Sequence, residues 1–142
     1  MKHPQEIDVL VIGAGHAGCA AAWAAASRGA RVRLITQNLD TIAKMSCNPA
    51  IGGIGKGHLV HEVDALGGLM GIAADRSALQ YRLLNRSKGP AVQATRAQCD
   101  RRIYHMVMRE MLDSHPRVHL HQGTVSELLF DGDRVSGAVD EL

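Results

Sequence analysis

The sequence is short of aromatic residues, of paired cysteines and of long apolar runs, and each shortage excludes a class of structure. Only four of the 142 residues are Phe, Trp or Tyr, so a buried core must be built from Ala, Val, Ile, Leu and Met. Small and aliphatic residues of this kind suit a parallel sheet that is buried on both faces. The composition therefore favours the α/β class.

The three cysteines, Cys19, Cys47 and Cys99, are widely spaced and form no C-x-x-C pair. This spacing indicates neither a zinc site nor a disulfide framework. We expect Cys19 and Cys99 to be packing residues. The eight histidines also lack a convergent set of ligands, since His58 and His61 share no more than a predicted helix face. We therefore expect no metal site.

No apolar run approaches the ~20 residues that are needed to cross a bilayer. The N-terminal residues MKHPQEID also lack the cationic and apolar pattern of a signal peptide. We expect a cytoplasmic protein with reduced thiols and no membrane contact. Its 142 residues suit a single domain.

The most informative stretch is VLVIGAGHAG, in which Gly13, Gly15 and Gly18 have the spacing G-x-G-x-x-G between an apolar run and an alanine-rich segment. In a dinucleotide-binding turn, the first glycine permits the sharp turn and the second lets the backbone approach a pyrophosphate. The third glycine lets helix and strand pack closely. Because the helix N-terminus then faces the phosphates, this context predicts a dinucleotide site.

The glycines lie within a predicted βαβ unit of about thirty residues, the usual size of a dinucleotide-binding motif. Residues 7–12 are predicted as a first, central parallel strand. Residues 17–26 are predicted as a helix with Gly29 at its C-terminal cap, and residues 31–36 as the next strand.

The end of the second strand lacks the acidic residue that usually binds the NAD ribose. Thr36, Gln37 and Asn38 occupy this position instead. Neutral side chains can still bond a ribose. The departure disfavours a standard NAD site and leaves FAD, or an unusual ribose contact, open.

The rest of the chain is predicted as a glycine-rich loop, short elements and a terminal hairpin. Residues 46–58, SCNPAIGGIGKGH, form the loop, whose backbone amides can approach an anion. The further elements are a helix over residues 58–66, an ordered element over 79–84, a turn over 85–92, a helix over 95–112, a strand over 118–121, and a hairpin of 125–130 and 134–139 around Asp131-Gly132-Asp133. The long helix is expected to carry an apolar stripe of Cys99, Ile103, Met106 and Val107.

Cys47 is the candidate nucleophile. Its thiol lies in a polar, glycine-rich loop, where Lys56 would favour the reactive thiolate. An inert loop cysteine is the alternative.

The basic residues are concentrated in one part of the chain. Eight of the sixteen Lys and Arg residues lie between Arg76 and Arg109, against the single acid Asp100. Such a block fits an anionic partner, either RNA or cofactor phosphate, although it also fits a solvated surface.

Three motifs, GAGHAG, SCNPAIGGIGKGH and SKGPAV, occur together in one order and at separations typical of one family. The chain resembles, over essentially all of its length, the N-terminal part of the MnmG/GidA family, the FAD-dependent tRNA uridine 5-carboxymethylaminomethyl modification enzyme. The resemblance implies an incomplete Rossmann-like FAD/NAD(P)-binding fold with an N-terminal βαβ unit, a glycine-rich loop, a helix and a C-terminal β-hairpin. Residues 1–142 are then a partial FAD-binding domain without a second domain.

The resemblance also implies an activity and its residues. With a GTPase partner, MnmE, the family uses FAD, NADH and methylenetetrahydrofolate to place an aminomethyl or carboxymethylaminomethyl group on C5 of the tRNA wobble uridine. The full-length protein is expected to be a homodimer. By this resemblance, Cys47 is catalytic, and the FAD-binding residues are Gly13, Ala14, Gly15, His16, Ala17, Gly18 and Val125.

Members of the family are several times longer than this chain. We therefore expect a fragment that cannot complete the reaction alone and that associates through exposed strand edges and apolar surface. The alternative is a truncated, catalytically incompetent remnant that binds a nucleotide or a partner chain.

Overall fold

The computed structural model describes residues 7–141, which divide into two compact units. Residues 7–42 and 112–141 belong to the first unit, and residues 43–111 belong to the second. Residues 1–6, part of the segment in which no signal peptide is expected, and residue 142 lie outside the described residues.

In chain order the elements are β1 (Val9–Ile12), α1 (His16–Ser27), β2 (Val32–Thr36), β3 (Ala50–Gly52), α2 (Lys56–Ala65), α3 (Leu69–Ser77), β4 (Ala78–Leu84), β5 (Ala94–Cys99), α4 (Arg101–Ser114), β6 (Val118–Gln122), β7 (Val125–Asp131) and β8 (Arg134–Asp140). Short 3₁₀ turns lie at Leu39–Thr41 and Pro90–Val92. The chain is thus a mixed α/β protein, as the composition predicts.

The first unit contains the predicted βαβ unit, because β1 and β2 run parallel and α1 connects them. β6 pairs in parallel with the other edge of β2. The predicted central position of β1 is therefore wrong for the described sheet, whose order is β1-β2-β6. Strand β2 lies between β1 and β6, and its residues Val32 and Leu34 are fully buried. Ile12 on the edge strand β1 is 52% exposed.

Helix α1 can lie close to the sheet because its buried side chains are small. They are those of Cys19, Ala22 and Ala26. The expected packing role of Cys19 is confirmed by its complete burial. The helix ends at Ser27 with Arg28 as its C-cap residue, and Gly29, the predicted cap, follows with a φ of +93° and donates its amide proton to the Ala26 carbonyl over 2.9 Å.

The predicted terminal hairpin is also confirmed. β7 and β8 pair antiparallel, with Val125 opposite Asp140. Gly132 at the turn has a φ of +60°, which glycine adopts without strain.

The second unit is an antiparallel sheet of order β3-β5-β4 together with α2 and α3. α2 confirms the helix predicted over residues 58–66, and β4 is the ordered element predicted over residues 79–84. β3 and α3 do not follow from the sequence pattern.

The helix predicted over residues 95–112 is confirmed from Arg101 onward, where α4 begins, and is wrong over its first turn, because residues 94–99 form the strand β5. β5 pairs with strands on both sides, and this tertiary pairing outweighs the local helical preference of its alanines. Asp100 separates the two elements, since its Oδ1 accepts the amide protons of Arg102 and Ile103 over 2.8 and 2.9 Å, as an N-cap does.

The apolar stripe predicted for this helix is wrong at two of its four positions. Ile103 and Met106 are 43% and 56% exposed. The buried side chains of α4 are Tyr104, Val107, Met108 and Leu112. Cys99 is buried on β5, so its expected packing role is confirmed although its predicted helical setting is not.

Of the helices in the part of the chain that the structure describes, none has both the length and the apolar character that a membrane span requires.

A methyl group at Gly18 is expected to destabilise the first unit. Its Cβ would lie 1.9 Å from the carbonyl oxygen of Gly13, a backbone atom that cannot move aside. We expect Gly18→Ala to lower the free energy of unfolding by about 3 kcal/mol, the upper range for overpacking, in thermal melts followed by circular dichroism. Gly89→Ala is the matched control, because a Cβ there meets nothing within 4 Å. Equal melting of both variants would contradict the packing role of Gly18.

Candidate functional site

The glycine turn, residues 13–18, connects β1 to α1 and is tied to β2. Gly13 has a φ of +95°, a backbone conformation that residues other than glycine rarely adopt. Its amide donates to the Ile35 carbonyl over 2.7 Å, so the end of β1 is held beside the end of β2. The sharp turn that the sequence predicts at Gly13 is therefore present.

The other two glycines of the turn differ in their surroundings. A Cβ on Gly18 would clash with the turn itself, whereas a Cβ on Gly15 would meet nothing within 4 Å. Gly15 is the N-cap of α1 and has no side chain that could accept from the first-turn amides. The space in front of this helix end is thus open, as the approach of a pyrophosphate requires.

The remaining residues of the turn have distinct exposures. Ala14 is buried at 4% exposure, Ala17 is exposed, and His16 is half-buried. Burial lowers the pKa of His16 below its ordinary value of 6.5. The side chain is therefore neutral at physiological pH, so it can donate or accept a hydrogen bond beside the turn without adding a charge.

An open cleft of about 470 Å³ lies at the carboxyl ends of the parallel strands. We call it the strand-end cleft, and its lining includes Ile12, Gly13, Thr36, Gln37, Gly123 and Val125. Ligands of open α/β sheets bind at this end of the strands. The structure thus brings together Gly13 and Val125, two of the residues that the family resemblance assigns to the cofactor.

The rim of the strand-end cleft at β2 is neutral. Asn38 uses its Oδ1 to accept the Asp40 amide over 2.8 Å, which caps the 3₁₀ turn that follows. Gln37 is exposed at the same rim. A ribose at this position would therefore meet neutral amide and hydroxyl groups.

A contact that the sequence does not predict fixes the wall of the cleft at Gly123. The Asp140 carboxylate contacts His121 Nε2 through Oδ2, and its Oδ1 accepts the Thr124 amide over 3.0 Å. The predicted hairpin places residue 140 near residue 125, but only the exact strand register shows which side chain meets this turn.

Cys47 lies in the second unit, on the loop before β3, and it is an exposed free thiol. Its neighbour Asn48 accepts a hydrogen bond at Oδ1 from Nη2 of Arg96 on β5, over 3.2 Å. The sequence does not predict this contact, because it places Arg96 on a helix. An exposed thiol is accessible to a substrate, but the role of Cys47 stays a prediction.

Two members of the basic block lie directly opposite each other on antiparallel strands. Arg82 on β4 pairs in register with Arg96 on β5, and Gln80 pairs with Gln98 beside them. Like charges in such a position repel each other, and a bound anion would relieve the repulsion. The anionic partner of the basic block stays a prediction.

The second unit also contains a cavity of about 140 Å³, whose lining includes His61, Asp64, Asp75 and Tyr81. The Tyr81 hydroxyl donates to Asp75 Oδ1 over 2.5 Å, and this hydrogen bond raises the pKa of Tyr81 to about 12. Tyr81 is therefore held as a neutral phenol. Within residues 7–141, no group of three or more His, Cys, Asp or Glu side chains is placed to hold a metal ion.

The comparisons with known proteins agree with this fold. A family described as glucose inhibited division protein A matches residues 8–142. The tRNA uridine 5-carboxymethylaminomethyl modification enzyme MnmG of Chlamydia muridarum (strain MoPn / Nigg) is 60% identical over 134 residues, which are 94% of this chain and 22% of that protein. The chain thus spans about a fifth of the length of the curated relatives that it matches.

Among solved structures, GidA of Aquifex aeolicus superposes with a TM-score of 0.93 at 45% identity, covering 96% of this chain and 23% of that chain. PqsL of Pseudomonas aeruginosa, a probable FAD-dependent monooxygenase, has a TM-score of 0.66 at 19% identity and covers 95% of this chain and 38% of that chain. The second likeness shows a shared Rossmann-like fold alone.

The lowered pKa of His16 predicts a pH-dependent stability. Because the folded state disfavours the protonated ring, the unfolded state binds more protons as the pH falls below about 6.5, and stability decreases. Between pH 7 and pH 5 we expect the melting temperature of the wild type to fall more steeply than that of His16→Gln. His58→Gln, which removes an exposed histidine, is the control. Parallel pH curves for wild type and His16→Gln would contradict the prediction.

Proposed function

Because the chain belongs to the glucose inhibited division protein A family, we propose that it is the FAD-binding N-terminal portion of a tRNA uridine 5-carboxymethylaminomethyl modification enzyme. Residues 1–142 then form part of one FAD-binding domain. The observation that carries the proposal is the glycine turn, which leads from β1 into an open helix end beside the strand-end cleft.

The residues at this site fit the two ends of the cofactor's nucleotide portion. The pyrophosphate would be held by the turn residues Gly13, Ala14, Gly15, His16, Ala17 and Gly18. Gly15 leaves space for the pyrophosphate to approach, and the backbone amides at the start of α1 would face it. The backbone of Val125 would contact the adenine portion from the opposite wall of the strand-end cleft. The neutral rim at Gln37 suits a ribose that needs no acidic partner.

The proposed reaction joins a one-carbon unit to tRNA. Bound FAD would supply the redox chemistry, with NADH as reductant, methylenetetrahydrofolate as carbon donor and an amine as nitrogen donor, and the product would carry an aminomethyl or carboxymethylaminomethyl group on C5 of the wobble uridine. The proposed partners are an MnmE-type GTPase and tRNA, with a homodimer of the full-length protein as the working unit. The proposed location is the cytoplasm.

Two features of the second unit support a role in this reaction. Cys47 is exposed, and a thiolate there is a nucleophile that can act on a substrate carbon. Arg82 and Arg96, which pair in register on β4 and β5, offer charge for a tRNA phosphate, and Arg96 donates a hydrogen bond to Asn48, the residue next to Cys47.

The proposal is tested first by the colour of the purified chain. Bound flavin, seen by its visible absorption, or stabilisation of the chain by added FAD is expected. A colourless chain that FAD does not stabilise would contradict the proposal and would instead support the alternative, a catalytically incompetent remnant that binds another nucleotide or a partner chain.

Gly15→Ala is expected to separate binding from folding. Its Cβ projects into open space, so the melting temperature of the free chain is expected to stay within about 2 °C of the wild type. The same methyl group would meet the pyrophosphate and weaken FAD binding about tenfold or more in flavin fluorescence titrations. Gly89→Ala, also in open space but outside the turn, is the control. Wild-type FAD affinity in Gly15→Ala would exclude the turn as the pyrophosphate site.

A full-length protein carrying this sequence allows a test of Cys47. With MnmE, tRNA and the other substrates supplied, Cys47→Ser is expected to reduce wobble-uridine modification at least about 100-fold, the scale on which loss of a participating group lowers rates. FAD binding is expected to persist. Ser46→Ala, at the exposed neighbouring position, is the control. Unchanged modification by Cys47→Ser would remove the thiol from the mechanism.

A further inference from the structure

The turn from β6 into β7, residues 123–125, forms the wall of the strand-end cleft opposite the end of β2. Gly123 and Val125 both line the cleft. Two backbone hydrogen bonds hold this turn: Gly123 donates to the Thr36 carbonyl over 2.9 Å, and Glu141 donates to the Thr124 carbonyl over 3.0 Å. The position of the cleft wall therefore depends on how firmly residues 123–125 are held between these two hydrogen bonds.

The carboxylate of Asp140 adds a side-chain contact to this turn. Asp140 Oδ1 accepts the Thr124 amide over 3.0 Å, and Oδ2 contacts His121 Nε2. The carboxylate also lies against Gly123, because a Cβ there would come within 2.3 Å of Oδ1 and 2.6 Å of Oδ2. Only 22% of the Asp140 side chain is exposed, which strengthens hydrogen bonds to it.

We propose that His121 and Asp140 are positioning residues for the adenosine end of the bound nucleotide. His121 orients the carboxylate, the carboxylate holds the Thr124 amide, and Val125, directly opposite Asp140 in the hairpin, is thereby kept in the cleft wall. This inference rests on the proposed function, since it names FAD as the ligand. Neither residue is among those that the family resemblance assigns to the cofactor.

The fold does not depend on this contact alone. Without the Asp140 carboxylate, the two backbone hydrogen bonds to Thr36 and Thr124 and the pairing of β7 with β8 persist. The Thr124 amide would lose its charged acceptor, and the wall would become mobile. Binding is then expected to weaken because the ligand must order the turn.

The test compares Asp140→Ala with Asp133→Ala, an equal loss of charge at the tip of the same hairpin. In Asp140→Ala, we expect hydrogen exchange of the Thr124 amide in the ligand-free chain to become at least about tenfold faster. Affinities for FAD and for ADP, which share the adenosine end, are expected to fall together by about tenfold. Asp133→Ala is expected to change none of these values.

The outcomes separate this inference from the proposed function. A wild-type chain that binds neither FAD nor ADP overturns both. Normal wild-type binding with unchanged affinities in Asp140→Ala overturns the inference alone, as does a loss for FAD that ADP does not share.

If Asp140→Ala does not fold, His121→Phe decides the question. This variant keeps the Asp140 to Thr124 hydrogen bond and removes the group that orients the carboxylate. Weaker binding of both FAD and ADP by a folded His121→Phe chain supports the inference, and unchanged binding overturns it.

Discussion

The contact on which the first unit depends is the approach of two stretches of backbone at Gly18 and Gly13. Because Gly18 carries no Cβ, α1 can begin directly beside the turn that ends β1, and Gly13 permits the bend of that turn through its φ of +95°. Gly13 in turn is hydrogen-bonded to the end of β2. One helix end and two strand ends therefore meet at the same edge of the sheet, where a dinucleotide can bind.

The chemistry of this edge is set by neutral groups. The side-chain oxygen of Asn38 accepts a backbone hydrogen bond from the following turn, and burial keeps His16 neutral. Positive charge is placed elsewhere, on the antiparallel sheet of the second unit, where Arg82 and Arg96 face each other. The proposed cofactor site would thus rely on backbone amides, and the proposed anion-binding surface would rely on side-chain charge.

The sequence predicts the βαβ unit and the hairpin correctly because their signals are local: a glycine turn, an alanine helix and Asp-Gly-Asp between two apolar runs. It fails at β5, where Ala94 and Ala97 favour a helix in isolation and only pairing with β3 and β4 makes a strand. For the same reason, the sequence does not predict the hydrogen bond from Arg96 to Asn48. Within the candidate site, the glycines and Val125 follow from motif and resemblance, whereas the contact of His121 with Asp140 requires the strand register.

The carboxylate of Asp140 occupies the volume that a side chain at residue 123 would need. These two positions, seventeen residues apart in the chain, are therefore not free to vary independently. A lineage that replaces Asp140 with a smaller or differently directed side chain also gains room for alanine at position 123, and one that first acquires alanine there must move the carboxylate away from Thr124. Among relatives, a residue other than glycine at position 123 should therefore occur only where no carboxylate lies against this turn, whereas glycine there is compatible with either case.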